Sequence, residues 1–298
     1  MKIFYSDHYT IPLPEGHRFP MEKYRLLREG LVEAGVLQLS ELHQTRIASE
    51  DEVASVHSPA YIKSVSNGTL TPMQIRKIGF PWSPELAVRS FATVGGAISA
   101  AFEALKTGIS GNLAGGTHHA FRESGEGFCV FNDQAVAAQL ILSQKLVKKV
   151  LIVDLDVHQG NGTSDIFSDS EDVFVFSMHG EKNYPFKKVN SHLDIPLIDN
   201  MEDDEYLGIL GKHLPSLFDQ NPDIVLYQAG VDPLREDRLG RLDLSFAGLK
   251  ERDRMVLSEC KKRGIPVSLA MGGGYAVPIS LTVEAHINTY RVVKELYK

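Results

Sequence analysis

The sequence predicts one α/β domain built on a parallel sheet with helices on both faces. Short runs that are almost continuously Val, Ile and Leu recur along the chain, as in VLIVDLD (150–156) and DIVLYQAG (223–230). Such runs suit strands covered on both sides. Helix-like segments separate them, and no internal repeat, low-complexity tract or linker divides the 298 residues. A single domain over 1–298 is therefore expected.

Taken in order, KIFYS near the start reads as a first strand. The 85–106 segment reads as a helix closed by Thr107-Gly108, since glycine is the usual residue beyond a helix end. NLAGG (112–116) is read as the next strand, followed by a helix from Asn132 to Leu146. VLIVDLD (150–156) and VFVFSM (173–178) are strands, then Asp203 to Asp219 a helix and DIVLYQAG (223–230) a strand. Phe246 to Arg263, stopped by Gly264, is a helix; PVSLAMGG (266–273) is a strand; Ile279 to Leu296 forms the last helix.

The 43% hydrophobic and 23% charged composition is ordinary for a globular protein. A net charge of -7 disfavours nucleic acid as partner and is compatible with a cationic substrate such as a lysine-bearing peptide. Two cysteines, Cys129 and Cys260, make no disulfide framework and suit a reducing cytosol. MKIFYSDHYT lacks a signal-peptide apolar core, and no apolar run is long enough to span a membrane. A cytoplasmic protein without membrane or nucleic-acid partners is the expectation; the oligomeric state is not legible.

Four strands finish in unusual polar groups. NLAGG runs into Thr117-His118-His119, VLIVDLD into Asp156 and His158, DIVLYQAG into Asp232, and PVSLAMGGG into Tyr275. Ligands of open parallel sheets bind beyond the carboxyl ends of the strands, so these groups should gather on one edge. Asp154, Asp156 and His158 also alternate, which in a strand would place them on one side. Buried carboxylates need partners or a metal. Asp156, His158 and Asp232 form a three-ligand set of the kind catalytic zinc sites use, with zinc or iron(II) both chemically suited. His118 and His119 suit acid–base and electrostatic work, with Asp154 and Asn161 available to fix their tautomers. Tyr275, after three glycines, can present a phenol to a developing oxyanion.

These residues resemble a known family, the zinc-dependent histone deacetylases of the arginase/deacetylase superfamily, and look closest to bacterial and class IV-like members. The similar motifs are GGTHHAF (115–121), GFCVFND (127–133), DLDVHQGNG (154–162), QAGVDPL…DRLGRL (228–242) and GGGY (272–275), with HRFPMEKY (17–24) and HSPAYI (57–62) toward the N-terminus. The resemblance implies a sheet of about eight strands flanked by helices. It implies hydrolysis of an N-acyl amide, with acyl-lysine of a protein or peptide, or a small acylated amine, as substrate. It assigns Asp156, His158 and Asp232 to zinc, His119 to general base, His118 to its electrostatic partner and Tyr275 to the carbonyl. Asp154 would pair with His118. Gly127 and Phe128 would line the tunnel, the Gly127 carbonyl accepting the amide N–H, and Tyr184 or Phe186 would supply a further wall. Asp154, with backbone oxygens near Asp156, His158, Ser177 and Met178, resembles a potassium site. Arg18 matches a basic position near an internal channel.

The sequence also departs from the family pattern. Asn161 stands where several branches carry Asp, and asparagine raises the basicity of a histidine less than a carboxylate does. Gln159, not a second histidine, follows His158. Three rival readings are an arginase-like enzyme with two manganese ions, a cysteine hydrolase built on Cys129, a histidine and Asn132, and a non-catalytic acyl-binding relative.

Overall fold

The structure, a computed structural model, describes residues 1–297. Eight strands form one all-parallel sheet: β1 (Ile3–Tyr5), β2 (Leu42–Gln44), β3 (Ile109–Asn112), β4 (Val150–Asp154), β5 (Val173–Gly180), β6 (Leu193–Leu197), β7 (Ile224–Gln228) and β8 (Val267–Ala270). Their order across the sheet is β2-β1-β3-β8-β7-β4-β5-β6. The continuous apolar runs are explained by two cores. Leu151 and Val153 of β4 and Val225 and Tyr227 of β7 enter one, whereas Val150, Ile152, Ile224 and Leu226 enter the other. Helices Lys23–Glu33, Asp203–Phe218, Phe246–Arg263 and Ile279–Leu296 close the first core, and Pro84–Thr107 with Asp133–Ser143 closes the second.

Local signals set the helix limits. Ser83 accepts the Leu86 N–H ahead of Pro84, and Gly108 closes that helix at φ 86°. Asn132 accepts the Ala135 N–H, and Gly264 ends the 246–263 helix at φ 69°. The reading of NLAGG as a strand is corrected: β3 is ISGN at 109–112, and the residues after Asn112 already form the site loop. Serine and glycine in that strand hide it from an apolar count. β4 likewise stops at Asp154, so Asp156 and His158 are held by loop geometry rather than by strand alternation. The short edge strands β2 and β6 were not expected; LHQ and LDIPL carry no two-sided apolar pattern, because an edge strand needs none.

His57 of the HSPAYI segment ties the second core to the site. Its Nδ1–H donates to the Phe121 carbonyl at 2.9 Å while Nε2 accepts the Asn132 N–H at 2.9 Å. An imidazole that donates on one side and accepts on the other is neutral. Burial, above all, holds its pKa down at about 4. The folded value lies below the unfolded one, so its contribution to stability is present above pH 6.5 and is lost as pH falls toward 4. Between pH 7.5 and 5 this residue should remove about 2 kcal/mol from the unfolding free energy. Urea unfolding of His57→Gln should show a correspondingly shallower loss; equal slopes in the two proteins would contradict a neutral His57.

Candidate active site

β3, β8, β7 and β4 are consecutive in the sheet, and their carboxyl ends supply the histidine pair, Asp156, His158, Asn161, Asp232 and Tyr275. The segment after β3 carries His118 and His119, the one after β4 Asp156, His158 and Asn161, the one after β7 Asp232, and the one after β8 Tyr275. They meet at a cavity of about 560 Å³ whose lining includes both histidines, Asp156, His158, Asp232 and Tyr275.

Asp156, His158 and Asp232 are buried, with one donor atom from each lying within 4.8 Å of the others. Nδ1 of His158 is 2.9 Å from Oδ2 of Asp232 and 3.1 Å from Oδ1 of Asp156. Backbone donors hold the carboxylates: Val157 N–H donates to Asp232 at 2.9 Å, and Gly273 N–H to Asp156 at 2.7 Å. A Cβ on Gly273 would lie 1.8 Å from Oδ2 of Asp232, so only glycine lets this backbone close on both carboxylates. Burial and the neighbouring Asp156 carboxylate push Asp232 up to about 7. Two carboxylate oxygens and one imidazole nitrogen brought together in burial fit a divalent cation. Among the described residues this is the one such cluster, which offers no second set for a two-manganese centre.

The histidine pair sits above this cluster on a clamped turn. Gly115 and Gly116 take φ of +84° and +79°, and Asp133 accepts N–H bonds from Gly116 and Thr117 and the Thr117 hydroxyl. His118 Nδ1–H donates to Asp154 at 2.7 Å, and His119 Nδ1–H to Oδ1 of Asn161 at 2.7 Å. Burial opposes a charge on His118, but Asp154 and Asp156 outweigh it and raise its pKa to about 9. Burial and the nearby His118 and His158 drive His119 well below the ordinary histidine range. A charged and a neutral imidazole thus stand side by side, ring centroids 4.2 Å apart. That pairing can hold an anion and accept a proton at once.

Tyr275 is anchored by its backbone, whose N–H donates to Asp237 at 2.6 Å. The buried Lys23 of HRFPMEKY donates to the Gly272 carbonyl at 3.2 Å and lies 3.5 Å from that of Gly274. Burial and the Asp232 charge hold the Tyr275 phenol far above its usual pKa, so it remains a donor. Phe128, at φ +66° among aromatic neighbours, and Tyr184, set edge-on against His119 at 5.0 Å, both line the cavity. Phe128 holds this strained backbone because its N–H donates to Ile78 O at 2.7 Å. Phe186 is 89% exposed, so Tyr184 is the inner wall and Phe186 stands at the rim. The Gly127 carbonyl lies 3.4 Å from the Cys129 thiol. Asp154 lies level with Ser177 on β5, and Met178 follows.

Arg18 is exposed at the cavity; the buried arginine on its wall is Arg89, which donates to Tyr9 O at 2.8 Å and faces the Tyr24 ring at 4.5 Å. Cys129 is buried, and burial pushes its thiol well above the usual range, which removes the thiolate a cysteine hydrolase needs. Asp133, Asp237, Lys23 and Glu126 were not singled out from the sequence. Each is a lone charged residue within or beside a recognised motif, and its role lies in contacts that spacing does not reveal.

Fold and site together define a hydrolase of the arginase/deacetylase fold. A family model described as histone deacetylase domain matches residues 17–290, and the chain belongs to the histone deacetylase family. It is 46% identical over 296 residues to an uncharacterised protein of Picosynechococcus sp., covering 99% of both chains. It is 30% identical to histone deacetylase 2 of Arabidopsis thaliana, covering 92% of this chain and 74% of that protein. To the acetoin utilization protein AcuC of Staphylococcus xylosus it is 28% identical, covering 88% and 74%. Among solved structures, a histone deacetylase homologue complexed with SAHA superposes with a TM-score of 0.83 at 26% identity, over 99% of this chain and 84% of that one. A homologue from Aquifex aeolicus gives 0.82 at 26% identity, over 97% and 82%. Among the described residues, no helix is long and apolar enough to cross a membrane.

Proposed function

We propose that the chain, acting as one catalytic domain, hydrolyses acyl-lysine in a protein or peptide, with zinc or iron(II) held by Asp156, His158 and Asp232. The observation that carries this reading is the meeting of a carboxylate–imidazole cluster, a charged and a neutral histidine, and a protonated tyrosine in one aromatic-walled cavity. A bound divalent metal would supply electrophilic polarisation of the amide carbonyl and of a water molecule.

The residues of the chain do the rest. Neutral His119, with Nδ1–H engaged by Asn161, offers Nε2 to the proton of the attacking water. His118, kept cationic by Asp154, stabilises the negative charge that builds up, and one of the two histidines protonates the leaving amine. The Tyr275 hydroxyl donates to the carbonyl oxygen. Phe128 and Tyr184 hold the alkyl stem, and the Gly127 carbonyl accepts the amide N–H. Asp154, with the backbone oxygens near Asp156, His158, Ser177 and Met178, is the proposed seat of a potassium ion.

The rim favours a protein or peptide over a small polyamine. Arg18, Arg76, Lys77, Lys182 and Arg241 line the cavity and are exposed. Among the described residues Arg18 and Arg76 have no acidic partner within 4.0 Å, whereas Lys77 pairs with Glu126 and Lys182 and Arg241 share Asp199. Such a rim repels a polycation and attracts acidic flanking residues. With metal added, a panel of acyl-lysine peptides and acylpolyamines should show release of the carboxylic acid. Peptides with Asp or Glu beside the acyl-lysine should exceed Lys- or Arg-flanked ones by about tenfold in kcat/KM at low salt, the gap closing as ionic strength rises. No turnover across the panel would overturn the reading, and an equal response to both flanks would remove the role of the rim.

A further inference from the structure

Asn161 is where the chain departs from the charged pattern, and the residue behind it changes what that departure means. Asn161 Oδ1 faces Nδ1 of His119 at 2.7 Å, while its Nδ2 lies 2.6 Å from Oε1 of Glu126. Glu126 is 5% exposed, and its other oxygen lies 2.7 Å from Nζ of Lys77. The segment that carries it is fastened to the preceding helix end: Gly127 N–H donates to Lys77 O at 3.1 Å and Phe128 N–H to Ile78 O at 2.7 Å.

An ionised carboxylate only accepts hydrogen bonds, so the amide atom turned toward Glu126 must be the NH2 group. Oδ1 is then left to face His119, and because Oδ1 also only accepts, the proton of His119 must sit on Nδ1. Without the carboxylate the amide is free to turn over. Its NH2 would then face Nδ1, and the proton would move to Nε2, the nitrogen that must be bare to take a proton.

We propose that Glu126 is a positioning residue that acts through the Asn161 amide to fix the Nδ1–H tautomer of His119. The negative charge missing at 161 is thus kept one residue farther out, where Lys77, half-exposed at the rim, answers it. The inference rests on His119 as the proton acceptor of the proposed reaction. It also changes what Asn161→Asp would do: a carboxylate at 161 would meet the Glu126 carboxylate head-on across the 2.6 Å contact rather than simply add charge beside His119.

The test uses Glu126→Gln, Glu126→Leu, Asn161→Asp and the double variant E126Q/N161D in the full chain. Glu126→Leu should lower kcat by about 10- to 100-fold, the usual cost of losing a supporting partner, with metal content and melting temperature held and KM moving less than kcat, since Glu126 also touches Tyr184 and Lys77. Glu126→Gln should fall between it and the parent. In the double variant the amide introduced at 126 donates to the carboxylate introduced at 161, which accepts from Nδ1 however it rotates. Its kcat should recover to within a few-fold of the parent and exceed that of N161D alone. Long-range 15N spectra of the imidazoles, with His119 assigned by loss of its signals in His119→Gln, should report Nδ1–H in the metal-free parent and a shift toward Nε2–H in Glu126→Leu. An unchanged kcat in Glu126→Leu, an unchanged tautomer, or a double variant as impaired as the product of its single changes would each overturn the proposal. If the tautomer shifts but the parent hydrolyses none of the acylated amines, the positioning by Glu126 stands and the catalytic reading of His119 falls.

Discussion

Asp232→Asn should release the metal and abolish turnover while the metal-free chain still folds. Asp232 is fully buried, accepts the Val157 N–H at 2.9 Å, and lies 2.9 Å from His158. Burial and the Asp156 charge push it up to about 7, while its pairing with His158, an imidazole that against burial the two carboxylates raise to about 10, holds it in the metal-free protein. Asparagine keeps an acceptor for Val157 and removes one carboxylate charge, which relieves the repulsion from Asp156 and forfeits the pairing with His158. The same change leaves a divalent ion with a single anionic ligand, and affinity should fall by more than about 100-fold, beyond the cost of disturbing a supporting partner. Two measurements check this. Elemental analysis after desalting should find metal in the parent and none in the variant. Added zinc should raise the parent melting temperature by preferential binding to the folded state and leave the variant unmoved. Metal retained by Asp232→Asn at the parent level would move the site elsewhere.

What the sequence reveals of this molecule depends on how local the cause is. The helix at 84–107 can be read from Ser83-Pro84 and Gly108, because capping is decided within a few residues. β4 and β7 can be read because both of their faces are buried, so nearly every position is apolar. β3 escapes because Gly111 packs beneath the Tyr290 hydroxyl, where a Cβ would come within 2.6 Å, and that crowding is a tertiary fact. β2 and β6 escape because edge strands face solvent. The site divides in the same way. The ligand and histidine motifs stand within short segments of distinctive spacing. Asp133, Asp237, Lys23 and Glu126 instead act across 16, 38, 249 and 35 residues on Thr117, Tyr275, Gly272 and Asn161 respectively. A single charged residue at such a distance looks like a solvated surface residue until the chain is folded.

Tyr275→Phe should cost a factor of about a hundred to a thousand in the chemical rate, which is the worth of one oxyanion donor, or roughly 3–4 kcal/mol. The substitution deletes one oxygen and keeps the ring that packs near Phe128 and Phe19. The loop itself is held by backbone contacts, Tyr275 N–H on Asp237 and Lys23 on the Gly272 carbonyl, so neither depends on the phenol. Metal content and folding should therefore be unchanged, and KM should move far less than kcat if the hydroxyl bonds the carbonyl mainly as charge develops on it. The phenol pKa is raised, first by burial and then by the Asp232 charge, so the group remains protonated through the neutral range and should contribute no alkaline limb below its ordinary value near 10. Single-turnover rates for parent and variant on one acyl-lysine peptide, from pH 6 to 9, give both quantities. A uniform drop across that range is expected. Near-normal turnover in Tyr275→Phe would mean that another group polarises the carbonyl, and a drop confined to high pH would mean that the tyrosine titrates rather than donates.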